Sequence, residues 1–278
     1  MGRLTDRFDR IDRWGQRVLD GRVVRVLWLA GASLIAVPML VFGTYQVASA
    51  IAHEERTVSD SVPAAGLTGV DVEGSTGSVH VIGVEDSNTV NVRSRVSDGL
   101  RRTGYRTFVR DGRLVVRSTC PVYGSSWCSV SSTIEMPSDL GLSIHADGGV
   151  EVSDVHGGVS AHADGGSVTA TRVSGTLDLS SDQGRVEASG IDADHVVATS
   201  DQGRVDLTFT NSPRSVEARS DQGSVTVVLP EEPGIVYATT LETDQGSAQS
   251  LIVQDPRSDR TIIATSDQGD VTVSYATG

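Results

Sequence analysis

The sequence predicts an all-β chain: a parallel β-helix or β-solenoid exported domain behind a single N-terminal transmembrane helix. A β-sandwich of hairpins is the second architecture it allows. Three observations predict the solenoid. Aspartates followed two positions later by glycine recur at Asp147, Asp164, Asp182, Asp201, Asp221, Asp244 and Asp267, at intervals of 17, 18, 19, 20, 23 and 23 residues. The last five spell Asp-Gln-Gly, ending at Gly184, Gly203, Gly223, Gly246 and Gly269. Around each phrase apolar residues alternate, as in Val186/Ala188, Val205/Leu207 and Val225/Val227, which is a strand signal punctuated by turn residues. The composition completes the picture, with 4% aromatics, 30 glycines and a core vocabulary of small aliphatics. A coil of about 20 residues cannot bury its apolar face alone, so coils must stack on one another.

The elements follow in order. Residues 1–25 form a basic cytoplasmic leader with seven Arg against four Asp. Its Leu4, Phe8, Ile11, Trp14 and Leu19 permit an amphipathic helix at the inner leaflet, and equally a solvated leader. Residues 26–52 carry no charge over 27 positions, enough to span a bilayer that needs about 20. The positive-inside rule places the leader in the cytoplasm and the rest outside, as a single-pass protein of the cell membrane. Ala48-Ser49-Ala50 has the form of a signal-peptide cleavage site, but so long an apolar run favours a retained anchor. Residues 53–66 read as a linker.

Residues 67–140 read as an N-terminal β region. Asp111-Gly112 between alternating runs is a two-residue hairpin signal. That register sets Arg110 opposite Arg113 and Arg106 opposite Arg117, four guanidiniums on one face. Residues 89–117 hold eight Arg and only Asp98 and Asp111, while the whole chain has a net charge of -13. Like charges across a sheet pair need compensation. Either the chain's own acids supply it or Arg106, Arg110, Arg113 and Arg117 bind an anionic envelope polymer or lipid headgroup. An exported acidic domain gives no reason to expect a nucleic acid partner. Cys120 and Cys128, in an oxidising compartment, read as a structural disulfide rather than a redox pair, which usually has the Cys-x-x-Cys spacing.

Residues 141–278 read as solenoid coils with Asp-x-Gly corners. The expected corner chemistry is an Asp carboxylate accepting backbone N–H groups and a Gly supplying positive φ. Stacking would bring Gln183, Gln202, Gln222, Gln245 and Gln268 into a ladder of side-chain amides. A calcium column is disfavoured, since the ion wants six to eight oxygens and each phrase offers one carboxylate. His145 and His162 recur in His-Ala-Asp-Gly-Gly and face outward by parity. With Asp147 and Asp164 nearby they have the residue types for a metal, but an exposed polar face is the commoner use, and the sequence assigns no metal and no cofactor. The last coil ends at Tyr275 without an evident cap, so its edge is expected to pair with a second copy or a partner, with Thr272 on the exposed strand.

Taken together, the run Gly69-Val70-Asp71-Val72-Glu73-Gly74-Ser75-Thr76-Gly77-Ser78-Val79-His80-Val81, the Arg110-Asp111-Gly112-Arg113-Leu114-Val115-Val116 hairpin and the Asp-Gln-Gly-x-Val coils resemble the bacterial β-strand-repeat family of putative adhesins, over residues 67–278. The resemblance implies a right-handed parallel β-helix or related envelope solenoid and brings no catalytic residues with it. Three function classes remain open. The first is an anchored structural or adhesive module without catalysis, and the second an envelope-sensing accessory protein using the Arg hairpin. The third, a solenoid hydrolase of surface polysaccharide, would need clustered carboxylates and aromatic sugar platforms.

Overall fold

The computed structural model describes residues 35–45, 53–99, 101–120 and 128–276. The chain forms two compact units, Met1–Ala52 and His53–Gly278. In the first, residues 35–45 are helical and expose Ile35, Val37, Leu40 and Phe42. The leader 1–25 and most of the span expected over 26–52 lie outside the described residues. No helix among the described residues is long and apolar enough to cross a membrane.

The described residues of the second unit are all strand, turn and loop. Its N-terminal strands are β1 (Glu54–Pro63), β2 (Gly69–Ser75), β3 (Val79–Val84), β4 (Thr89–Asp98), β5 (Gly104–Arg110), β6 (Arg113–Thr119) and β7 (Ser129–Pro137). Then come β8 (Gly141–Ala146), β9 (Val150–Ser153), β10 (Val159–Ala163), β11 (Val168–Thr171), β12 (Leu177–Ser181), β13 (Val186–Ile191), β14 (His195–Ser200) and β15 (Val205–Phe209). The last are β16 (Ser215–Ser220), β17 (Val225–Leu229), β18 (Ala238–Thr243), β19 (Ala248–Ser250), β20 (Thr261–Ser266) and β21 (Val271–Tyr275).

Alternation dictates what each strand buries. In β12 the inward Leu177 and Leu179 are fully buried while Asp178 points out, and the same parity runs through β10, β14 and β16. Each coil places one strand in a 10-stranded sheet and the next in an 11-stranded sheet. Parallel in-register pairing stacks like on like: Val159 on Leu177 on Val196 on Val216, and Ala161 on Leu179 on Ala198 on Ala218. Across the narrow interior stand Val168, Val186, Val205 and Val225, also buried and in register. Nine such coils at about 4.8 Å each give a stack about 38 Å long.

The exit from the 11-stranded sheet uses left-handed backbone, at Asp154 (φ 59°), Arg172 (φ 52°) and Gly190 (φ 66°) in successive coils. A third, narrow side follows, with Val155 and Val173 buried. Ser174 N–H bonds Val155 O and Asp192 N–H bonds Val173 O, at 3.0 Å each.

Both ends depart from chain order, and three expectations change there. Parallel pairing of β2 with β8 and of β3 with β9 carries the stack through the 140/141 boundary, so both β regions share one core. Residues 53–66, expected as a linker, contain β1, a ten-residue strand pairing antiparallel with β4. It escaped the alternation test because, as a sheet edge, it buries almost nothing. The last coil is also not outermost: β20 lies between β16 and β18, and β21 between β17 and β19. Thr272, expected on the free edge, is flanked by Thr226 and Gln249. The free edges at this end are β18 and β19.

Candidate functional site

The repeated phrase turns the chain from one sheet to the other in every coil from β8 to β21, but its chemistry differs from the expectation. The residue before the aspartate points inward, and where it is serine it is buried, as Ser181, Ser200, Ser220 and Ser266 are. Each hydroxyl accepts the N–H of its own coil's glycine: Gly184, Gly203 and Gly223 at 2.8 Å and Gly269 at 2.7 Å. Each then donates to the glycine carbonyl of the coil before it in the stack, at 2.7–2.8 Å. Thr243 does the same between Gly246 and Gly269. One hydroxyl thus satisfies a partly buried donor and a partly buried acceptor, and ties coil to coil. Asp182, Asp201 and Asp221 contribute backbone N–H groups to the preceding coil, 3.1 Å each. None of the seven corner carboxylates, on Asp147, Asp164, Asp182, Asp201, Asp221, Asp244 and Asp267, accepts a turn N–H.

The glycines are required for space. None of Gly184, Gly203, Gly223, Gly246 and Gly269 has a positive φ. A Cβ on Gly223 would instead stand 2.3 Å from Gly203 O and 2.6 Å from Arg204 N, and the same overlap recurs along the column. Gln183, Gln202, Gln222, Gln245 and Gln268 are exposed, and no side-chain bond joins them.

Like-charged corner carboxylates stacked one above another repel, and a guanidinium and an imidazole interrupt the column. Arg219 Nη2 lies 2.9 Å from Asp221 Oδ1 and 4.0 Å from Asp267 Oδ1. Hydrogen bonding to Asp221, followed by its charge and that of Asp267, raises the Arg219 pKa further. His162 Nε2 lies 2.9 Å from Asp164 Oδ1 and 3.7 Å from Asp182 Oδ1. In-register pairing sets His145 beside His162, their rings stacked with centroids 4.9 Å apart and planes 8° from parallel.

The arginine hairpin forms through Asp111 and Gly112, both at positive φ, pairing Arg106 with Arg117 and Arg110 with Arg113. Acids of β2 meet three of the four arginines. Arg113 bonds Asp71 at 2.7 Å, while Arg117 and Arg110 share Glu73 at 2.5 and 3.4 Å. Arg117 also lies over the Phe108 ring. Among the described residues Arg106 has no ion-pair partner, nor have Arg93, Arg95, Arg101 and Arg102. Cys120 and Cys128 are joined in a disulfide with a Cα separation of 5.8 Å, linking β6 to β7 where the coils from β8 onward carry the Asp-x-Gly turn.

Sequence reasoning missed a polar knot that fastens the N-terminal end. Asp98 is 5% exposed. It accepts the Thr103 N–H at 2.6 Å and Arg56 Nε at 3.0 Å, while Arg56 Nη2 reaches Thr103 O at 3.1 Å. Burial pulls the Asp98 carboxyl up, but the Thr103 and Arg56 bonds together outweigh it and hold the group below its ordinary value. A cavity of about 310 Å³ lies on the outer face of β1, β4 and β7, between Asp60, Asn91, Arg93 and Glu135. Its lining has no aromatic platform for a sugar.

No family model and no curated protein matches the chain. Solved structures are similar to it at low identity. A putative cell adhesion protein from Clostridium sporogenes is 12% identical, covering 80% of this chain and 100% of that one, at a TM-score of 0.36. A putative adhesin from Bacteroides fragilis is 15% identical (80% and 97% covered, TM-score 0.36), and one from Parabacteroides merdae is 10% identical (80% and 97%, TM-score 0.38).

Proposed function

We propose that the chain is a membrane-anchored, extracytoplasmic structural and adhesive module of the bacterial envelope that performs no catalysis. The observation that carries this reading is the construction of the second unit: an in-register stack whose closely packed glycines and buried serine hydroxyls join coil to coil. Its outward side chains remain as long polar columns for contact. A rigid stack holds such columns at a fixed spacing, which suits repeated weak contacts to a surface polymer. Support for anchoring comes from the 27-residue uncharged run and from exposed apolar side chains on helix 35–45. The free edges β18 and β19 are where a second copy or a partner could add strands.

The second reading keeps an anionic polymer or lipid headgroup as ligand. In its favour, Arg106, Arg101 and Arg102 lack ion-pair partners among the described residues.

The test uses the full chain in its native membrane. External protease added to intact cells should degrade Glu54–Tyr275, and beads coated with the purified chain should be retained on isolated envelope polymer. Protection of the unit until cells are lysed would overturn the topology. Retention abolished by Arg106→Glu alone would favour the anion reading over the adhesive one.

A further inference from the structure

We infer that His145, His162 and Asp164 form a binding site for one divalent first-row transition-metal ion of the zinc or copper class. The ligand atoms of these three residues all lie within 4.8 Å of one another. Asp164 Oδ1 stands between the two imidazoles, 2.9 Å from His162 Nε2 and 3.7 Å from His145 Nε2. A tetrahedral ion with bonds of about 2.0–2.1 Å needs its ligand atoms about 3.3 Å apart. Both carboxylate-to-imidazole separations bracket that value. The remaining closure, of His145 toward His162, is a tilt of the His145 ring out of its stack on His162, on the side where its side chain is 55% exposed. Asp182 Oδ1, 3.7 Å from His162 Nε2, is placed to enter as a fourth ligand.

The arrangement comes from the fold and from nothing local. His145 and His162 are 17 residues apart and become neighbours because β8 and β10 pair in register. They sit in the two coils that read His-Ala-Asp-Gly-Gly, where Ala146 and Ala163 stand in place of the corner serine found in most later coils. The inner ring atom of His162 is already engaged: Nδ1 lies 2.8 Å from Ser180 Oγ. A hydroxyl can donate to a bare nitrogen or accept from an N–H. Without metal it supports the tautomer whose Nε2–H faces Asp164. With metal it accepts from Nδ1–H and leaves the Nε2 lone pair for the ion, the usual way an outer hydrogen bond orients a ligating histidine. The imidazole stays neutral throughout: Nε2 gives its proton to solvent as the metal takes its place and Nδ1 takes one up, so the tautomer changes with no net proton release. Two imidazoles and one or two carboxylates favour zinc, copper or nickel over calcium or magnesium, which prefer all-oxygen ligands. Such an ion would clip two neighbouring coils, and its open coordination positions face outward.

The test is titration of the untagged full chain with Zn²⁺, followed by calorimetry, and with Co²⁺, followed by its ligand-field absorption. One ion per chain is expected, with a rise in Tm. His145→Ala and His162→Ala should each weaken binding at least about tenfold, and Asp164→Asn by a similar factor. His195→Ala, an exposed imidazole in a later coil, should leave it unchanged. Far-UV circular dichroism of each variant separates loss of ligand from loss of fold. Absence of stoichiometric binding by the wild-type chain, or binding that survives both histidine substitutions, would overturn the site.

Discussion

The middle of the solenoid and its two ends are built on different rules. From β8 to β17 the chain climbs one coil at a time; every corner repeats the same inward hydroxyl or alanine, and from Gly166 onward the same closely packed glycine. At the ends the chain doubles back. The coil of β2 and β3 is enclosed between that of β6 and β7 and that of β8 and β9, and the coil of β20 and β21 is enclosed by that of β18 and β19. An open stack exposes apolar side chains and unpaired backbone at its first and last layers. The ends answer with polar edge strands. At the N-terminal end the antiparallel β1 and β4 are fastened by the Arg56–Asp98–Thr103 knot. At the other end, Asp270 in the enclosed coil accepts both the Ser247 N–H and hydroxyl of the outer one at 2.8 Å. Those bonds, the backbone one first, hold its carboxyl below the ordinary value. The difference teaches that the repeat specifies the layer, while the order of the terminal layers is set by how edges are closed.

The largest expected effect belongs to the middle. Gly223→Val drives a side chain into the backbone of Gly203 and Arg204 and should cost about 3 kcal/mol or more. Ser224→Val, one position on, should cost far less. Equal shifts in Tm would mean that the coils are not packed as closely as the glycine column requires.

A smaller effect is expected from the N-terminal knot. Asp98→Asn exchanges a charge-assisted set of bonds for neutral ones and should cost about 2 kcal/mol at neutral pH. Because the folded Asp98 carboxyl titrates below its ordinary 3.8, its contribution is complete above that value. It is lost as the pH falls from there through the lower folded pKa. Urea unfolding from pH 6 down to pH 2 should therefore show wild type losing its advantage over Asp98→Asn across that acid window. A gap between the two that is independent of pH would show that the knot does not depend on the carboxylate charge.

Smaller again is Ser220→Ala, which leaves the Gly223 N–H and the Gly203 carbonyl without their shared hydroxyl and should cost about 1–2 kcal/mol. Ala146 and Ala163 occupy the equivalent place in β8 and β10, so those coils hold without the bridge. The reverse substitution Ala163→Ser sharpens the comparison: its hydroxyl should gain stability only if Gly166 N–H can reach it.

Much of the middle was legible in the sequence, because period-two alternation and a fixed turn phrase are local signals. The Asp111-Gly112 hairpin was legible for the same reason, and its register followed from it. The corner chemistry was misread because Ser and Asp both cap turns, and only the direction of the side chain separates them: Ser220 points in and Asp221 out. A glycine needed for positive φ and one needed for close approach also look alike in sequence, and here positive φ lies at the other corner, at Asp154, Arg172 and Gly190. Glu54, Glu55 and Arg56 gave no strand signal, since a polar edge strand needs no apolar face. Coil order at the C-terminal end was hidden because the phrases at Asp244 and Asp267 are the same length from their predecessors, 23 residues, and either could stack on Asp221.

That order is tested most directly by paired cysteines in the full chain, oxidised and mapped by mass spectrometry. In-register neighbours on adjacent strands lie about 4.8 Å apart, within the range a disulfide bridges, whereas strands two apart do not. Thr226 is the neighbour of Thr272, and Gln249 lies one strand beyond. The pair Thr226→Cys with Thr272→Cys should cross-link, and the pair Thr226→Cys with Gln249→Cys should not. A cross-link between positions 226 and 249 with none between 226 and 272 would contradict the enclosed last coil and return the free edge to Thr272.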